Sequence, residues 1–273
     1  MITEVEKLAF QAEVLNYYAS HGRHSLPWRQ PRTDQSFDPY TILVSEIMLQ
    51  QTQVGRVIDK FETFMARFPD TKSLADALQG EVLVGWSGLG YNRRAKYLQI
   101  AARQIEVAYS GIFPDELADL VALPGVGKNT AGAILAYAFN KPAIFIETNI
   151  RTVFLTYFLS DKEQVSDSEL LDFVADTVDT KQPRVWYWAL MDYGAYLKKI
   201  QSNPNVRSKH YSKQDKFEGS RRQIRGKVLR ELASQPLTQA DLSKRIADQR
   251  LDDVLVVLVR EEMIRLVGGY FRL

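Results

Sequence analysis

Residues 117–139 read LADLVALPGVGKNTAGAILAYAF, and this stretch decides the fold. Apolar residues recur at helical spacing before the break (Leu117, Leu120, Val121) and after it (Ala131, Ile134, Leu135, Ala138), while Pro124-Gly125-Val126-Gly127 interrupts them. The pattern predicts helix, tight hairpin, helix. Glycines at 125 and 127 let the backbone turn sharply and approach a partner closely, and the second helix opens near Lys128 with N–H groups that its own carbonyls cannot take. Such a turn can hold a phosphate on backbone donors, with Lys128 adding charge. A plain αα-hairpin with a glycine turn carries the same signature.

Composition narrows the chemistry around that hairpin. With 273 residues and 45% hydrophobic content the chain can build a large core and further small modules. A formal net charge of +2 neither demands nor excludes nucleic acid, so the distribution of charge decides more than its sum. There are no cysteines, which excludes a disulfide framework, a thiolate nucleophile, a cysteine-ligated zinc and an all-cysteine iron–sulfur cluster. His21, His24 and His210 show no H-E-x-x-H or similar ligand spacing. The first ten residues, MITEVEKLAF, are acidic and amphipathic rather than basic and then apolar, and no 18-residue apolar run follows. The expectation is a soluble cytoplasmic chain with no membrane contact.

Toward the N-terminus, residues 3–20 repeat Val5, Leu8, Ala12 and Leu15 as one packing helix. The proline-rich, polar segment 22–39 predicts an ordered loop, with Trp28 pinned to the body and Arg23, Arg29 and Arg32 available to solvent or an anion. Residues 40–54, YTILVSEIMLQQTQV, predict a helix and its exit. Glu46 sits there among Leu43, Ile47 and Met48 with no basic residue within four positions. A carboxyl desolvated in this way has a raised pKa, as a general acid near neutral pH needs, although the residue could also lie on the solvent face. The polar, uncharged QQTQ that follows, with Gln50, Gln51 and Gln53, suits hydrogen bonding to base edges or filling a gap in a duplex, and could equally cap the helix.

Helices are expected over 58–68, 71–78 and 81–86, and then GWSGLGYNRRAK turns on Gly85, Gly88 and Gly90 to present Tyr91 beside Arg93, Arg94 and Lys96. An aromatic beside three cations fits wedging into nucleic acid while the cations meet phosphates; a core tyrosine is the plainer reading. A helix runs from there to about Tyr109. Beyond the hairpin, Glu147-Thr148-Asn149 precedes a helix beginning near Ile150 that Thr148 or Asn149 can cap. The field of that helix start should keep Glu147 ionised, in contrast to Glu46, and two carboxylates in contrasting settings form the pattern of an acid paired with a charge stabiliser or nucleophile.

Further helices are expected over 165–178 and 184–196, the second rich in core-type aromatics. From Arg207 to Arg230 nine Lys and Arg stand against Asp215 and Glu218, a run that reads as a linker or a solvated face. Three short helices and strands at 264–267 and 270–273 around Gly268-Gly269 then spell a winged helix. Its third helix, LDDVLVVLVREE, is too acidic for easy base reading.

LPWR (26–29), PYTILVSEIMLQQTQV (39–54), WSGLGYNRRAKYL (86–98), LPGVGKNTAGAILAYAF (123–139) and ETNIR (147–151), in this order, resemble the helix-hairpin-helix DNA glycosylases, above all the A/G-specific adenine glycosylases. The resemblance implies an all-α enzyme of two lobes: 29–136 as a six-helix lobe with the hairpin, and 1–28 with 137–205 as a second helical lobe, a DNA-facing cleft lying between them. A basic linker (206–218) and the winged-helix-like domain (219–273) follow. It implies Glu46 as the acid protonating the adenine ring, Glu147 at the position of the catalytic aspartate, and Asn149 in its support. It matches Gln51 and Tyr91 to residues that enter the duplex and Gly125, Gly127 and Lys128 to a phosphate-holding hairpin; Gln50, Arg93, Arg94, Val126, Asn129 and Thr130 beside them are further candidate DNA contacts. Carbonyls near Leu123 and Val126 are implied holders of a sodium or potassium ion.

Four departures from the family pattern shape the expectation. Glutamate replaces aspartate at 147, and one methylene moves a carboxylate by about 1 Å or more, enough to matter in a preorganised site. Asn129 stands where relatives that also cut the backbone carry a lysine, so no strong lyase step is expected. The cysteine-bound iron–sulfur cluster cannot form. A winged helix takes the place of the domain that recognises 8-oxoguanine. The resulting expectation is a monomeric, monofunctional glycosylase acting on double-stranded DNA and releasing adenine from G·A or 8-oxoG·A pairs. A mismatch thymine, uracil or other damaged-base glycosylase, and a non-catalytic DNA-binding protein on the same frame, stay open beside it.

Overall fold

The computed structural model describes residues 2–212 and 216–273. Lys213 and Asp215, counted in the basic run, lie outside the described residues. The order is α1 (Glu4–His21), α2 (Pro39–Leu49), α3 (Val54–Arg67), α4 (Thr71–Asp76), α5 (Gln79–Gly85), α6 (Arg93–Ala108), α7 (Leu117–Ala122), α8 (Lys128–Phe139) and α9 (Thr148–Tyr157). It continues with α10 (Asp167–Thr177), α11 (Pro183–Ile200), α12 (Arg221–Ser234), β1 (Leu237–Thr238), α13 (Gln239–Arg245), α14 (Leu251–Arg260), β2 (Arg265–Val267) and β3 (Tyr270–Arg272). The chain is mostly helical, as expected. Among the described residues no helix is long and apolar enough to cross a membrane.

The chain divides into two compact units. The first comprises 1–46, 115–122 and 126–213; the second comprises 47–114, 123–125 and 214–273. In the first, α11 packs against α9, α1 and α8. Phe10 of α1 sits at the centre of its aromatic core, with ring centroids of Phe154, Tyr157, Phe158 and Trp186 5.0–5.7 Å away. α1 begins where it does because Thr3 and Glu6 close a reciprocal capping box. Arg207 is part of this unit's architecture, donating to the carbonyls of Leu155 and Leu159 at the end of α9.

In the second unit α4 and α5 pack on α6, and Phe64, Phe68 and Trp86 make ring contacts at its centre. The C-terminal module belongs to this unit, with α12 against α5 and β3. The glycine-turned hairpin is present as β2 and β3, and β1 adds a third strand to give the order β1-β3-β2. The sequence pattern missed β1 because two residues are too few to show an alternation.

Candidate active site

Helix α2 starts at Pro39, where the Asp38 carboxylate accepts from the Tyr40 N–H (3.1 Å) and the Thr41 hydroxyl (3.0 Å). Ile42, Leu43, Val44, Ile47 and Met48 are all buried. Glu46 is thus an acid on a helix whose other faces are core. Glu147 stands at the N-cap of α9, immediately after a local anchor: the Asn129 amide donates to the Ile146 carbonyl (2.7 Å) and accepts from the Ile146 N–H (3.4 Å). Its side chain does not cap α9. It meets Glu46 instead, and the two carboxyls share a hydrogen bond.

By exposed area both carboxyls are only half-buried, yet the surrounding atoms desolvate both. Burial, then the charge of Glu147 and the bond to it, push Glu46 well above the usual carboxylate range, with Arg29 pulling the other way. Burial also raises Glu147, and the bond from Glu46 lowers it again. Glu147 thus sits above its ordinary value despite its place at the start of α9. The bond between them raises Glu46 and lowers Glu147, so it favours the proton on Glu46 over Glu147.

Around the pair the first unit supplies groups that sequence reasoning passed over. Arg29 is buried rather than open to solvent: Nη1 and Nη2 donate to Asp192 at 2.8 and 3.0 Å, and Arg23 donates to the same carboxylate through its backbone N–H and Nε, both at 2.7 Å. Burial alone would raise Asp192, but the guanidiniums overcome it and hold it below its ordinary value. Arg29 also lies over the rings of Trp188 (5.2 Å) and Tyr18 (5.9 Å). Tyr137 of α8 stacks on Trp188 (5.7 Å), and burial together with Glu46 and Glu147 raises its phenol so far that it stays a neutral donor. Gly194 of α11 completes the frame, since a Cβ there would collide with the Asn149 carbonyl oxygen. A lone glycine inside the aromatic helix was the available signal for that close approach.

The second unit holds Gln50, Gln51, Tyr91, Arg93 and Arg94. Gln51 and Tyr91 both lie at positive φ, 54° and 47°, which costs a residue with a Cβ about 1 kcal/mol or more. One side chain serves both tips. Arg94 donates to the Ile47 and Met48 carbonyls (2.7 and 3.0 Å) at the end of α2, to the Gln50 carbonyl and the Thr52 hydroxyl (3.1 Å) beside Gln51, and to the Gly90 carbonyl (3.1 Å) before Tyr91. Burial lowers its pKa to about 10, so it remains a cation at neutral pH. Arg94 points into the unit; Arg93 is exposed and faces Glu261 at 3.5 Å. Gln51 is exposed, whereas Gln50 and Tyr91 are half-buried.

At the hairpin, Gly125 adopts φ = 81°, and a Cβ there would come within 3.0 Å of Tyr97. Gly125, Gly127, Lys128 and Asn129 are exposed, while Val126 and Thr130 are buried. α8 starts at Lys128 as the pattern predicts. Among the described residues no group of three His, Asp or Glu could hold a metal ion.

Comparison with known proteins fits this geometry. The family profile of the HhH-GPD superfamily base excision DNA repair proteins matches residues 44–172, a span holding both carboxyls, both tips and the hairpin. An adenine DNA glycosylase of Buchnera aphidicola subsp. Baizongia pistaciae is 36% identical over 201 residues, covering 72% of this chain and 55% of that protein. The chain thus spans about half the length of that relative. An adenine DNA glycosylase of Mycolicibacterium smegmatis is 33% identical over 269 residues, covering 89% of this chain and 90% of that protein. Among solved structures, a thermostable thymine-DNA glycosylase superposes with a TM-score of 0.62 at 25% identity, over 73% of this chain and 90% of the other. From the motifs, the hairpin and these likenesses together, the chain belongs to the HhH-GPD superfamily of base excision DNA repair proteins and is homologous to the adenine DNA glycosylases within it.

Proposed function

We propose that this protein is a monofunctional DNA glycosylase that hydrolyses the N-glycosidic bond of adenine in G·A or 8-oxoG·A pairs. The observation that carries the reading is the hydrogen-bonded, desolvated Glu46–Glu147 pair, with Glu46 held well above the usual carboxylate range. Cleaving an N-glycosidic bond needs an acid for the leaving base and a negative charge for an oxocarbenium-like sugar, and one pair supplies both.

In this reading the adenine leaves the stack, at a cost that is least for a mismatch, while Gln51 and Tyr91 enter the duplex. Glu46 gives its proton to a ring nitrogen of the purine as the C1′–N9 bond breaks and its electrons pass to the base. The Glu147 carboxylate stabilises or transiently captures C1′, water supplies the hydroxyl, and the proton lost by water returns to the pair. Asn129 offers an amide and no amine, so no lyase step follows, and its bonds to Ile146 seat Glu147. Asn149 supports that carboxylate from the first turn of α9. The hairpin from Gly125 to Thr130 holds a phosphate through its backbone and Lys128. From the family resemblance we retain a sodium or potassium ion at the carbonyls near Leu123 and Val126: neutral oxygens suit such an ion, and no chemical step runs through it.

A second reading, release of a mismatched thymine or uracil, is favoured by the thymine-DNA glycosylase likeness. Single-turnover base release on 8-oxoG·A, G·A, G·T and G·U duplexes, with alkali to reveal abasic sites, separates the two. Adenine release supports the first; release only from G·T or G·U moves the substrate, and silence across the panel despite tight binding makes the protein a non-catalytic DNA binder.

A further inference from the structure

Tyr91 is gripped from two elements of its unit. The Arg94 guanidinium lies 5.4 Å from the ring centroid, and that of Arg222, on the first turn of α12, lies 5.1 Å from it. Arg222 also donates from Nη1 to the Tyr91 hydroxyl. A left-handed tyrosine persists only where its surroundings over-determine it, and here the C-terminal module is part of those surroundings.

The module is fixed to the same stretch of chain by several bonds. Lys96 donates to the Glu261 carbonyl (2.8 Å) and pairs with Glu262 (2.7 Å), and the Gln79 amide donates to the Glu262 carbonyl (2.8 Å). Arg225 of α12 pairs with Glu261 at 2.5 Å and Arg93 approaches the same carboxylate at 3.5 Å. Exposed ion pairs add little singly, but the Glu261 side chain is only 13% exposed and two guanidiniums converge on it. At the far end, a Cβ on Gly80 would lie 3.0 Å from Leu273. Arg222 therefore reaches Tyr91 from a docked base rather than from a loose tail.

We propose that Arg222 is a positioning residue: through it the C-terminal module sets Tyr91 in the conformation that enters the duplex, and so takes part in telling a mismatched pair from a matched one. The inference takes its DNA substrate from the glycosylase reading, but its test reads binding and so stands apart from catalysis. A phosphate contact at Arg222 behaves differently, because it strengthens every duplex alike and adds about one to the salt slope.

The experiment compares full-length wild type, Arg222→Ala, Arg222→Lys, Tyr91→Phe and the double variant Arg222→Ala/Tyr91→Phe. Each is titrated onto a matched G·C duplex and onto a duplex with 2′-fluoro-2′-deoxyadenosine, which resists base release, opposite guanine. Thermal melting of each variant confirms folding, and Tyr91→Phe, which removes only the hydroxyl that Arg222 holds, tests the same bond should Arg222→Ala melt early. The expected result is a roughly tenfold loss of mismatch preference in Arg222→Ala, affinity for the matched duplex changing less than twofold. Tyr91→Phe should lose a similar amount and the double variant no more than either single one, the mark of one shared interaction. Arg222→Lys should recover part of the preference, since an ammonium still offers a donor and a cation to the ring. Equal weakening on both duplexes, additive losses, or unchanged preference in Arg222→Ala would each overturn the proposal, as would a wild type with no mismatch preference. A wild type that prefers the mismatch through Arg222 yet releases no base would instead overturn the glycosylase reading and leave this one standing.

Discussion

The carboxyl pair of the first unit and the two turn tips of the second hold their readiness in different forms. Glu46 and Glu147 hold it as electrostatics: desolvation pushes both upward, and the bond between them raises Glu46 further while lowering Glu147. Gln51 and Tyr91 hold it as backbone conformation, each at a positive φ that its own Cβ resists, with Arg94 bonded to the backbone beside both. The first arrangement suits a step in which a proton must leave a side chain on demand. The second suits a step in which a side chain must already stand in position when the duplex arrives. Base removal needs both, and the comparison predicts that they can be broken separately.

The largest effect belongs to the pair. Glu46→Gln keeps the shape and the hydrogen bond but removes the titratable proton, so single-turnover base release should fall by about 10²–10⁴-fold, the usual worth of a positioned acid, while mismatch affinity changes little. Quench-flow and a binding titration on the same duplex check this, and a matching loss in both would join what the comparison separates. Next comes Arg94→Met, which leaves the carbonyls of Ile47, Met48 and Gly90 without their charged donor. Chemical denaturation should show a loss of about 2–4 kcal/mol, since hydrogen bonds to charged groups are worth roughly 1.5–3 kcal/mol and the acceptors stay partly buried. Mismatch preference should fall with it. The smallest effect is Gln51→Gly, which removes the Cβ that opposes φ = 54°. Stability should rise by a few tenths to about 1 kcal/mol while mismatch preference drops, an opposition of sign that a merely structural turn would not show.

The two regions were also unequally legible. The hairpin read directly, because glycines between two helical periodicities have few other meanings. Glu46 read as well, since an acid without a nearby base inside an apolar helix is conspicuous. That Glu147 meets it did not, because only the folded chain brings α2 and α9 together. Asp192 shows the same limit more severely: it lies among core-type aromatics in α11, and its partner Arg29 is 163 positions away in a segment read as open loop. At the tips the sequence offered Arg93 and Arg94 as equal phosphate contacts. Neighbours on a helix point about 100° apart, so one faces outward and the other becomes an internal clamp. Burial fixes which, and no local pattern encodes it. Arg222 was hidden for another reason, counted in a basic run whose plain reading was a linker or a solvated face.

The pH dependence of single-turnover adenine release from a G·A duplex tests the central claim most directly. An acid whose pKa is raised donates only while it holds its proton. Release by the wild type should therefore decline as pH climbs through the raised pKa of Glu46, well above the range of an ordinary glutamate. The residual rate of Glu46→Gln should lack that decline. A wild-type rate that is flat through the same range, or a decline that survives in Glu46→Gln, would contradict the raised Glu46 of the Glu46–Glu147 pair as the source of the chemistry.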